Sequence, residues 1–329
     1  MKTVEANITT FLSSGFCALL LTLIAMAMLW SGLSLTEPPA AISTLIGPTA
    51  PLASSSAFTA IVFATAVIVV ASGIMMLTNR IFNILRTSSK LFVGIFALAV
   101  AATPGAAGLS AAGITLCVVM IMSLMIMYTT YQRTSSNRRI FLVFAIITAC
   151  SCLDGAFAFY LPVMFIGCAQ MRCLSFRGFL AAVIGIVTPL WILWGFSVIS
   201  LADIMLPRIS LPSAATFASY SLAQHTAIAT MLIMSFTVTL LNVIKVYGFN
   251  ARTRAFNGIL ATLTLWTIAF SITDYGHALS YMPLLGALGA MQLTLWFRIA
   301  AKSRSYIGVL LTIALLLFVF VCNTIGLTF

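Results

Sequence analysis

The sequence predicts an all-α fold, a polytopic bundle of transmembrane helices. Two observations support this prediction, the composition of the chain and its length. Apolar residues make up 62% of the 329 residues and charged residues only 6%, whereas a globular protein has roughly 45–50% apolar and about 25% charged residues. A soluble surface needs more charge than this, and the strands of a β-barrel would alternate polar and apolar residues. At about 20 residues per span, the length holds about eleven helices, with ten as the alternative. We therefore expect one integral membrane domain over residues 1–329 and no soluble domain.

The basic residues predict the orientation of the bundle. The chain has 16 Lys and Arg residues against 5 Asp and Glu residues, and short loops that carry Lys and Arg stay on the cytoplasmic side. The basic residues cluster, with room for two spans between successive clusters. We therefore expect the N-terminus inside and, for eleven spans, the C-terminus outside, with the positive charge facing anionic lipid headgroups and no nucleic-acid partner. The clusters are Arg80, Arg86 and Lys90; Arg133, Arg138 and Arg139; Arg172 and Arg177; Lys245, Arg252 and Arg254; Arg298, Lys302 and Arg304.

The predicted spans alternate with basic inner loops and with outer turns rich in proline and glycine. One pair, in 140–171, is short: about sixteen residues reach about 24 Å at 1.5 Å per residue, less than the roughly 30 Å hydrocarbon core. That pair is either two short spans or a re-entrant hairpin. The spans lie at about 11–32 and 55–78, two each within 91–131 and 140–171, then at 178–201, 217–243, 256–272, 281–297 and 306–327.

Two acidic residues in predicted outer turns are candidate catalytic residues. Asp154 precedes Gly155 in an otherwise apolar stretch. Asp-Gly is good turn chemistry, and a carboxylate at the outer rim of a membrane is also suited to be a general base or a cation or proton ligand. Glu37 precedes two prolines in the first outer loop, 33–54, where an ordinary loop residue is the alternative.

His225, with Gln224, is a candidate substrate-binding residue. It lies about eight residues inside the predicted eighth span, near 12 Å deep at 1.5 Å per residue. An ionisable residue at that depth suggests a function, and the alternative is a neutral histidine hydrogen-bonded to a neighbouring helix. Gln292 in the tenth span has the same two interpretations.

Three further residues complete the candidate substrate-binding set. Pro189, with Gly185, interrupts the seventh span, as in the broken helices of transporters, although both residue types are common in spanning helices. Asp274 and His277, three residues apart in an outer turn, form either an acid–base pair or a solvated turn. These titratable groups all fall on the predicted outer side.

The cysteines predict neither a metal site nor a cofactor. There are 7 of them, an odd number, and almost all lie within predicted spans. Cys150 and Cys152 lie near the outer end of one span and Cys168 and Cys173 near the inner end of the next, which disfavours a single metal site or disulfide set. The chain has no phosphate-binding or dinucleotide-binding glycine motif.

Two stretches carry a resemblance to a known family. The first is Arg80-Ile81-Phe82-Asn83-Ile84-Leu85-Arg86-Thr87-Ser88 before a short apolar span, and the second leads from Asp154 to Pro162, through Arg172, Phe176, Arg177 and Gly185, to Thr188 and Pro189. Together they resemble an uncharacterised family of polytopic inner-membrane proteins from Bacteroidota, which implies the bacterial cytoplasmic membrane and no particular activity.

A more distant resemblance concerns layout alone. The chain is similar in layout to membrane glycosyltransferases of the C-type fold, which have an acid in the first outer loop. That similarity implies a catalytic role for Glu37, although this first outer loop is short and no outer domain is predicted.

Three functional hypotheses follow, and whether the protein is an enzyme stays open among them. The first is transport or flipping of an amphipathic or lipid-linked envelope component. The second is a membrane-embedded transferase that acts on a lipid-linked substrate at the outer face. The third is a non-catalytic scaffold subunit of an envelope complex. The expected partners are accordingly membrane lipids, a lipid-linked glycan or other envelope component, or a membrane-protein complex.

Overall fold

The computed structural model of the chain describes residues 2–31, 43–44, 47–48, 57–83, 90–103, 111–152, 155–197, 211–218, 220–299 and 305–325. The regular secondary structure of these residues is helical apart from a short antiparallel pair, β1 (Ser43–Thr44) and β2 (Gly47–Pro48). The helices are α1 (Lys2–Ser13), α2 (Gly15–Ser31), α3 (Ala57–Phe82), α4 (Lys90–Ala102), α5 (Ala111–Tyr128), α6 (Asn137–Ser151), α7 (Tyr160–Gln170), α8 (Phe176–Gly195), α9 (Ala214–Ala218), α10 (Leu222–Val246), α11 (Ala251–Thr273), α12 (Ala278–Ile299) and α13 (Ser305–Ile325). Single 3₁₀ turns, Gly155–Phe159 and Tyr275–His277, precede α7 and α12.

The all-α fold class is confirmed, and the chain has the helices of a multi-pass membrane protein. Within the described ranges, 6 helices are long and apolar enough to cross a membrane, or 7 if the bent pair α1–α2 is one span. Each predicted span contains a helix, but those in 90–102, 113–128 and 155–170 are short apolar helices. The count of eleven spans therefore stays a prediction. The six are Ala64–Phe82, Phe176–Gly195, Leu222–Val246, Ala251–Thr273, Tyr275–Arg298 and Ser305–Asn323.

The first predicted span is not one straight helix. The axes of α1 and α2 meet at 63°, and the break falls at Ser14. The hydroxyl of Ser14 accepts a hydrogen bond from the backbone N–H of Cys17 at 3.2 Å. Serine caps a helix start better than it continues a helix, and Gly15 follows it with the low helix propensity of glycine. The sequence Ser13-Ser14-Gly15 therefore starts a new helix there.

The predicted pair in 140–171 exists as two short helices. α6 has 15 residues and α7 has 11 residues, so they reach about 22 Å and about 16 Å at 1.5 Å per residue. Each is shorter than the roughly 30 Å hydrocarbon core of a bilayer. Neither helix is long enough to cross a membrane upright by itself.

α12 is the central helix of the bundle, and nearly all of it is buried. Glycines let its neighbours approach closely: a Cβ on Gly286 would lie 3.1 Å from the Cβ of Ala99 on α4, and one on Gly289 would lie 2.9 Å from the hydroxyl of Ser235 on α10. On another side, Trp296 packs against Gly308 of α13. α12 is therefore held by α4, α10 and α13 at once.

Candidate functional site

The predicted site residues fall into three groups. Asp274, His277, His225 and Gln224 come together at one end of the bundle, where α9, α10 and the turn between α11 and α12 meet. Pro189 lies in α8, which packs mainly on α6 and makes none of the contacts described below. Glu37 and Asp154 lie outside the described residues, so their candidate catalytic roles stay predictions.

Asp274 and His277 are in contact, as in the acid–base alternative, and Asp274 is not in a solvated turn. Nδ1 of His277 lies 3.0 Å and 3.2 Å from the two carboxylate oxygens of Asp274. The hydroxyl of Tyr281, one turn into α12, donates to Oδ2 at 2.7 Å. Asp274 is only 1% exposed, while the side chain of His277 is 35% exposed. The solvated-turn alternative is therefore wrong for Asp274, because its carboxylate is buried and hydrogen-bonded to His277 and Tyr281.

The backbone explains why the carboxylate points inward. Asp274 ends α11, and its N–H donates to the carbonyl of Phe270 at 2.8 Å. Its own carbonyl then accepts from the N–H of His277 at 3.1 Å, which closes the 3₁₀ turn. The carboxylate thereby lies near the N-terminus of α12, where the helix dipole favours a negative charge.

The pair has the geometry of a histidine oriented by a carboxylate. An ionised carboxylate only accepts hydrogen bonds, so Nδ1 of His277 donates to Asp274. In the neutral ring, Nε2 then carries the lone pair. A half-exposed imidazole in this state can take a proton from a bound group, or accept a hydrogen bond from it.

His225 lies beside this pair, nearer the helix start than predicted. α10 begins at Leu222, so His225 is in its first turn, about 5 Å from the start at 1.5 Å per residue. Its Nε2 lies 3.0 Å from the carbonyl oxygen of Phe217, and its Nδ1 lies 2.5 Å from the hydroxyl of Tyr275. Because a carbonyl only accepts, Nε2 donates, and in the neutral ring Nδ1 accepts from Tyr275. Both ring nitrogens are thus hydrogen-bonded within the protein, which favours the structural interpretation of His225.

Gln224 belongs to the cap of α10. Its side-chain oxygen accepts from the N–H of Ser221 at 2.8 Å, and the hydroxyl of Ser221 accepts from the N–H of Gln224 at 3.2 Å. This reciprocal arrangement is a capping box, which satisfies otherwise unpaired N–H groups at a helix start. The capping box sets where α10 begins, and therefore where His225 lies.

Three aromatic rings, those of Phe217, Tyr220 and Tyr275, surround His225. The ring of Tyr275 stacks on the ring of His225, with centroids 5.7 Å apart and planes 16° apart. The ring of Tyr275 also contacts the rings of Phe217 and Tyr220. The hydroxyl of Tyr220 donates to the carbonyl of Gly276 at 2.7 Å. Burial, with Tyr275 and Asp274 nearby, raises the pKa of Tyr220 to about 12, so it is a neutral donor at physiological pH. The only sequence signal for Tyr281 was its helical spacing from Asp274.

A small cavity lies at the opposite end of α11, and one basic residue, Arg252, lines it. Asn83, after α3, and Arg252, at the start of α11, both line it. The guanidinium of Arg252 lies 5.2 Å from the ring centroid of Phe256. Arg252 and Asp274 thus lie at the two opposite ends of α11.

Comparison with known proteins adds no relative, since no family model, no curated protein and no solved structure matches this chain.

Proposed function

We propose that this chain transports or flips an amphipathic or lipid-linked envelope component across a bacterial cytoplasmic membrane. The observation that carries the proposal is the partly exposed His277, oriented by the buried Asp274, at the end of α11 opposite Arg252. Burying an ionised carboxylate is costly unless it is hydrogen-bonded, and polar groups retained among membrane helices commonly mark substrate or ion pathways.

The chemistry of the pair suits the polar head of such a substrate. His277 can donate to a phosphate or accept from a hydroxyl, depending on its protonation. The ring of Phe217, which is exposed and packs against Tyr275, supplies an apolar surface, and the acyl part of the substrate would stay in lipid. We propose that the pair binds the head group at the membrane rim.

The proposal includes an orientation. With eleven spans and the N-terminus inside, the α11–α12 turn faces outward and the basic connections face the cytoplasm. Asn83 and Arg252 line one cavity, which supports a common side for the connections after α3 and α10. The carrier would then release or receive its substrate at the outer leaflet.

The test compares envelope lipids and glycolipids by mass spectrometry in a deletion strain and in complemented strains. We expect a precursor to accumulate in the deletion strain and to disappear with wild type. It should persist with Asp274→Asn and with His277→Gln. Glu5→Gln in α1 is the matched control, since it makes the same acid-to-amide change elsewhere and should restore the profile. Immunoblots and thermal unfolding of each variant establish that it is folded. Normal profiles with both site variants would overturn the proposal.

A membrane-embedded transferase is the second candidate, and the Asp274–His277 geometry favours it because a carboxylate-oriented histidine is a good general base. The strains above separate the two functions when a membrane-impermeant reagent labels the outer leaflet. Loss of a carrier leaves the completed component unlabelled on the inner leaflet, whereas loss of a transferase leaves an unmodified acceptor. Asp154→Asn and Glu37→Gln belong in the same series, because the transferase hypothesis assigns catalysis to them. If every variant is silent and the chain co-purifies with fixed partners, the scaffold hypothesis replaces both.

A further inference from the structure

The small open cavity between the end of α3 and the first turns of α11 combines apolar and polar side chains. Its apolar wall includes Phe82 and Phe256, whose rings meet edge to face with centroids 5.9 Å apart. Its polar side chains include Asn83, Arg252 and Asn257. Asn83 ends α3 with a φ of 49°, a left-handed conformation that asparagine tolerates at the end of a helix. We call this space the α3–α11 cavity.

Arg252 gives the cavity a positive charge. Its side chain is exposed, and its guanidinium lies 5.2 Å from the ring centroid of Phe256. No acid is among the described residues that line the cavity, so no carboxylate there neutralises Arg252. An arginine on an aromatic face keeps a planar set of N–H donors that matches the oxygens of a phosphate.

The start of α11 adds to this positive potential. Asn250 precedes the helix and makes no side-chain cap hydrogen bond, so it leaves the first N–H groups of α11 uncapped. The positive end of the helix dipole lies at the same place, and such a helix start favours a phosphate. α8 begins differently, since the hydroxyl of Ser175 accepts from the N–H of Gly178 at 3.1 Å.

The amide of Asn257 indicates that the ligand also carries a hydrogen-bond donor. Asn257 is only 4% exposed, and its Oδ1 has no hydrogen-bond partner among the described residues. Leaving a buried acceptor unsatisfied costs about 1–3 kcal/mol. An ionised phosphate only accepts hydrogen bonds, so it cannot satisfy this oxygen. The ligand must therefore supply an N–H or O–H group as well as anionic oxygens.

The position of the cavity favours a lipid as the source of these groups. It lies at the ends of two helices that are long and apolar enough to cross a membrane, Ala64–Phe82 and Ala251–Thr273. Leu77 and Ile81, in the last turns of α3, are 48% and 55% exposed. Basic pockets between spanning helices bind lipid head groups. The exposed side chains of α3 would contact the acyl chains.

We propose that the α3–α11 cavity binds one phospholipid whose phosphate carries a hydrogen-bond donor, as in an ethanolamine or glycerol head group. The phosphate lies against the guanidinium of Arg252 and the start of α11, and the ammonium or hydroxyl group donates to Oδ1 of Asn257. A choline head group does not fit, because its quaternary ammonium has no N–H. The site depends on the membrane setting of the bundle and not on what the α11–α12 turn binds.

The test counts the lipids bound to the purified full chain in detergent, by native mass spectrometry. Phosphatidylethanolamine and phosphatidylcholine with the same acyl chains are the main comparison, since both are zwitterions and only the first has N–H groups. We expect one retained phosphatidylethanolamine, bound at least about tenfold more tightly than phosphatidylcholine, the factor that 1.4 kcal/mol of lost hydrogen bonding produces. Phosphatidylglycerol with the same chains then shows whether the site prefers an ammonium or a hydroxyl donor.

Two variants separate the two halves of the head group. Asn257→Leu should abolish the preference for ethanolamine over choline. It should not lower the unfolding temperature without lipid, because it removes an unsatisfied acceptor. Arg252→Gln should weaken the binding of both lipids at least about tenfold, and this exposed change keeps the test valid if Asn257→Leu does not fold. Arg177→Gln is the matched control, since Arg177 is likewise exposed and second in its helix, the capped α8. It should bind lipid like wild type.

Three results would overturn the site. Equal binding of the ethanolamine and choline lipids by folded wild type would assign Oδ1 of Asn257 to water. Unchanged binding in both Asn257→Leu and Arg252→Gln would place the lipid elsewhere. Displacement of the lipid by an equimolar amount of O-phosphoethanolamine would identify a free phosphate ester as the ligand. Lipid binding at this site together with normal lipid profiles in the Asp274 and His277 variants would keep the site and reject the transport proposal.

Discussion

Asp274 lies in the interior because its neighbours replace the water it loses. Its carboxylate accepts hydrogen bonds from Tyr281 and His277, and its backbone N–H donates to the carbonyl of Phe270. A buried carboxylate with these donors is tolerated, whereas one without them would be costly. The contribution of each donor should therefore be measurable.

Tyr281→Phe should lower the free energy of unfolding by about 1–3 kcal/mol, since it leaves a buried carboxylate short of one donor. Thermal unfolding of the detergent-solubilised protein measures the loss. Tyr160→Phe is the control: Tyr160 is equally buried, but its hydroxyl bonds the neutral hydroxyl of Thr267 at 3.3 Å. Its expected loss is about 0.5–1.5 kcal/mol. Equal losses in the two variants would contradict the role of Tyr281.

His225 and Gln224 hold the aromatic side of the site in place. The capping box of Gln224 and Ser221 starts α10, and both ring nitrogens of His225 bond to groups outside α10. Neither side chain needs a substrate to explain its position. Under the proposed function, His277 is the histidine of this end that contacts the substrate, because 35% of its side chain is exposed.

α8 is a peripheral helix that packs on the rest of the bundle mainly through one face, the face toward α6. Most of α8 is exposed, and its buried residues include Gly185 and Ala182, which face α6. Pro189 lies one turn beyond Gly185, inside the helix. Proline supplies no N–H to that turn, so the carbonyl of Gly185 lacks its usual helical donor. This weak turn lies next to the closest contact of α8 with α6.

Gly185→Ala should separate α8 from α6. The added Cβ would lie 2.6 Å from the backbone carbonyl oxygen of Phe141, which cannot move like a flexible side chain. We expect a loss of about 1–3 kcal/mol in unfolding free energy, seen as a lower unfolding temperature. Gly195→Ala, at the end of the same helix, has nothing within 4 Å of the new Cβ and should be neutral or stabilising. An unchanged unfolding temperature for Gly185→Ala would contradict this prediction, because it would show that α8 can move away from α6 without loss of stability.

The whole molecule has two unlike ends, and its topology depends on whether the short helices cross the membrane. α4 has 13 residues and α7 has 11 residues. Helices of this length cross a bilayer only where it thins or where their flanks extend the apolar stretch. The number of spans is therefore decided at these helices.

Single cysteines reacted with a membrane-impermeant maleimide can count the spans. With eleven spans and the N-terminus inside, Gly105→Cys and Gly155→Cys should be labelled in intact cells, because both positions would face outward. Ser213→Cys, between two full-length helices, is the outer control. Ser135→Cys should be labelled only after permeabilisation. If Gly105→Cys and Gly155→Cys also require permeabilisation, the short helices do not cross and the eleven-span prediction is wrong.

The sequence by itself determined the all-α class, the membrane setting and the position of the helices, because hydrocarbon requires long apolar stretches with internally satisfied backbones. For Asp274 and His277 it left two alternatives, an acid–base pair or a solvated turn, because a spacing of three residues within one turn is compatible with both. Only the tertiary structure decided that Asp274 is buried and that His225 is hydrogen-bonded on both nitrogens. Those facts depend on Tyr281, Tyr275 and Phe217, which reach the turn from other positions in the chain. The same holds for Asn257 and Gln292: burial follows from composition, but which oxygens lack partners depends on how the helices pack.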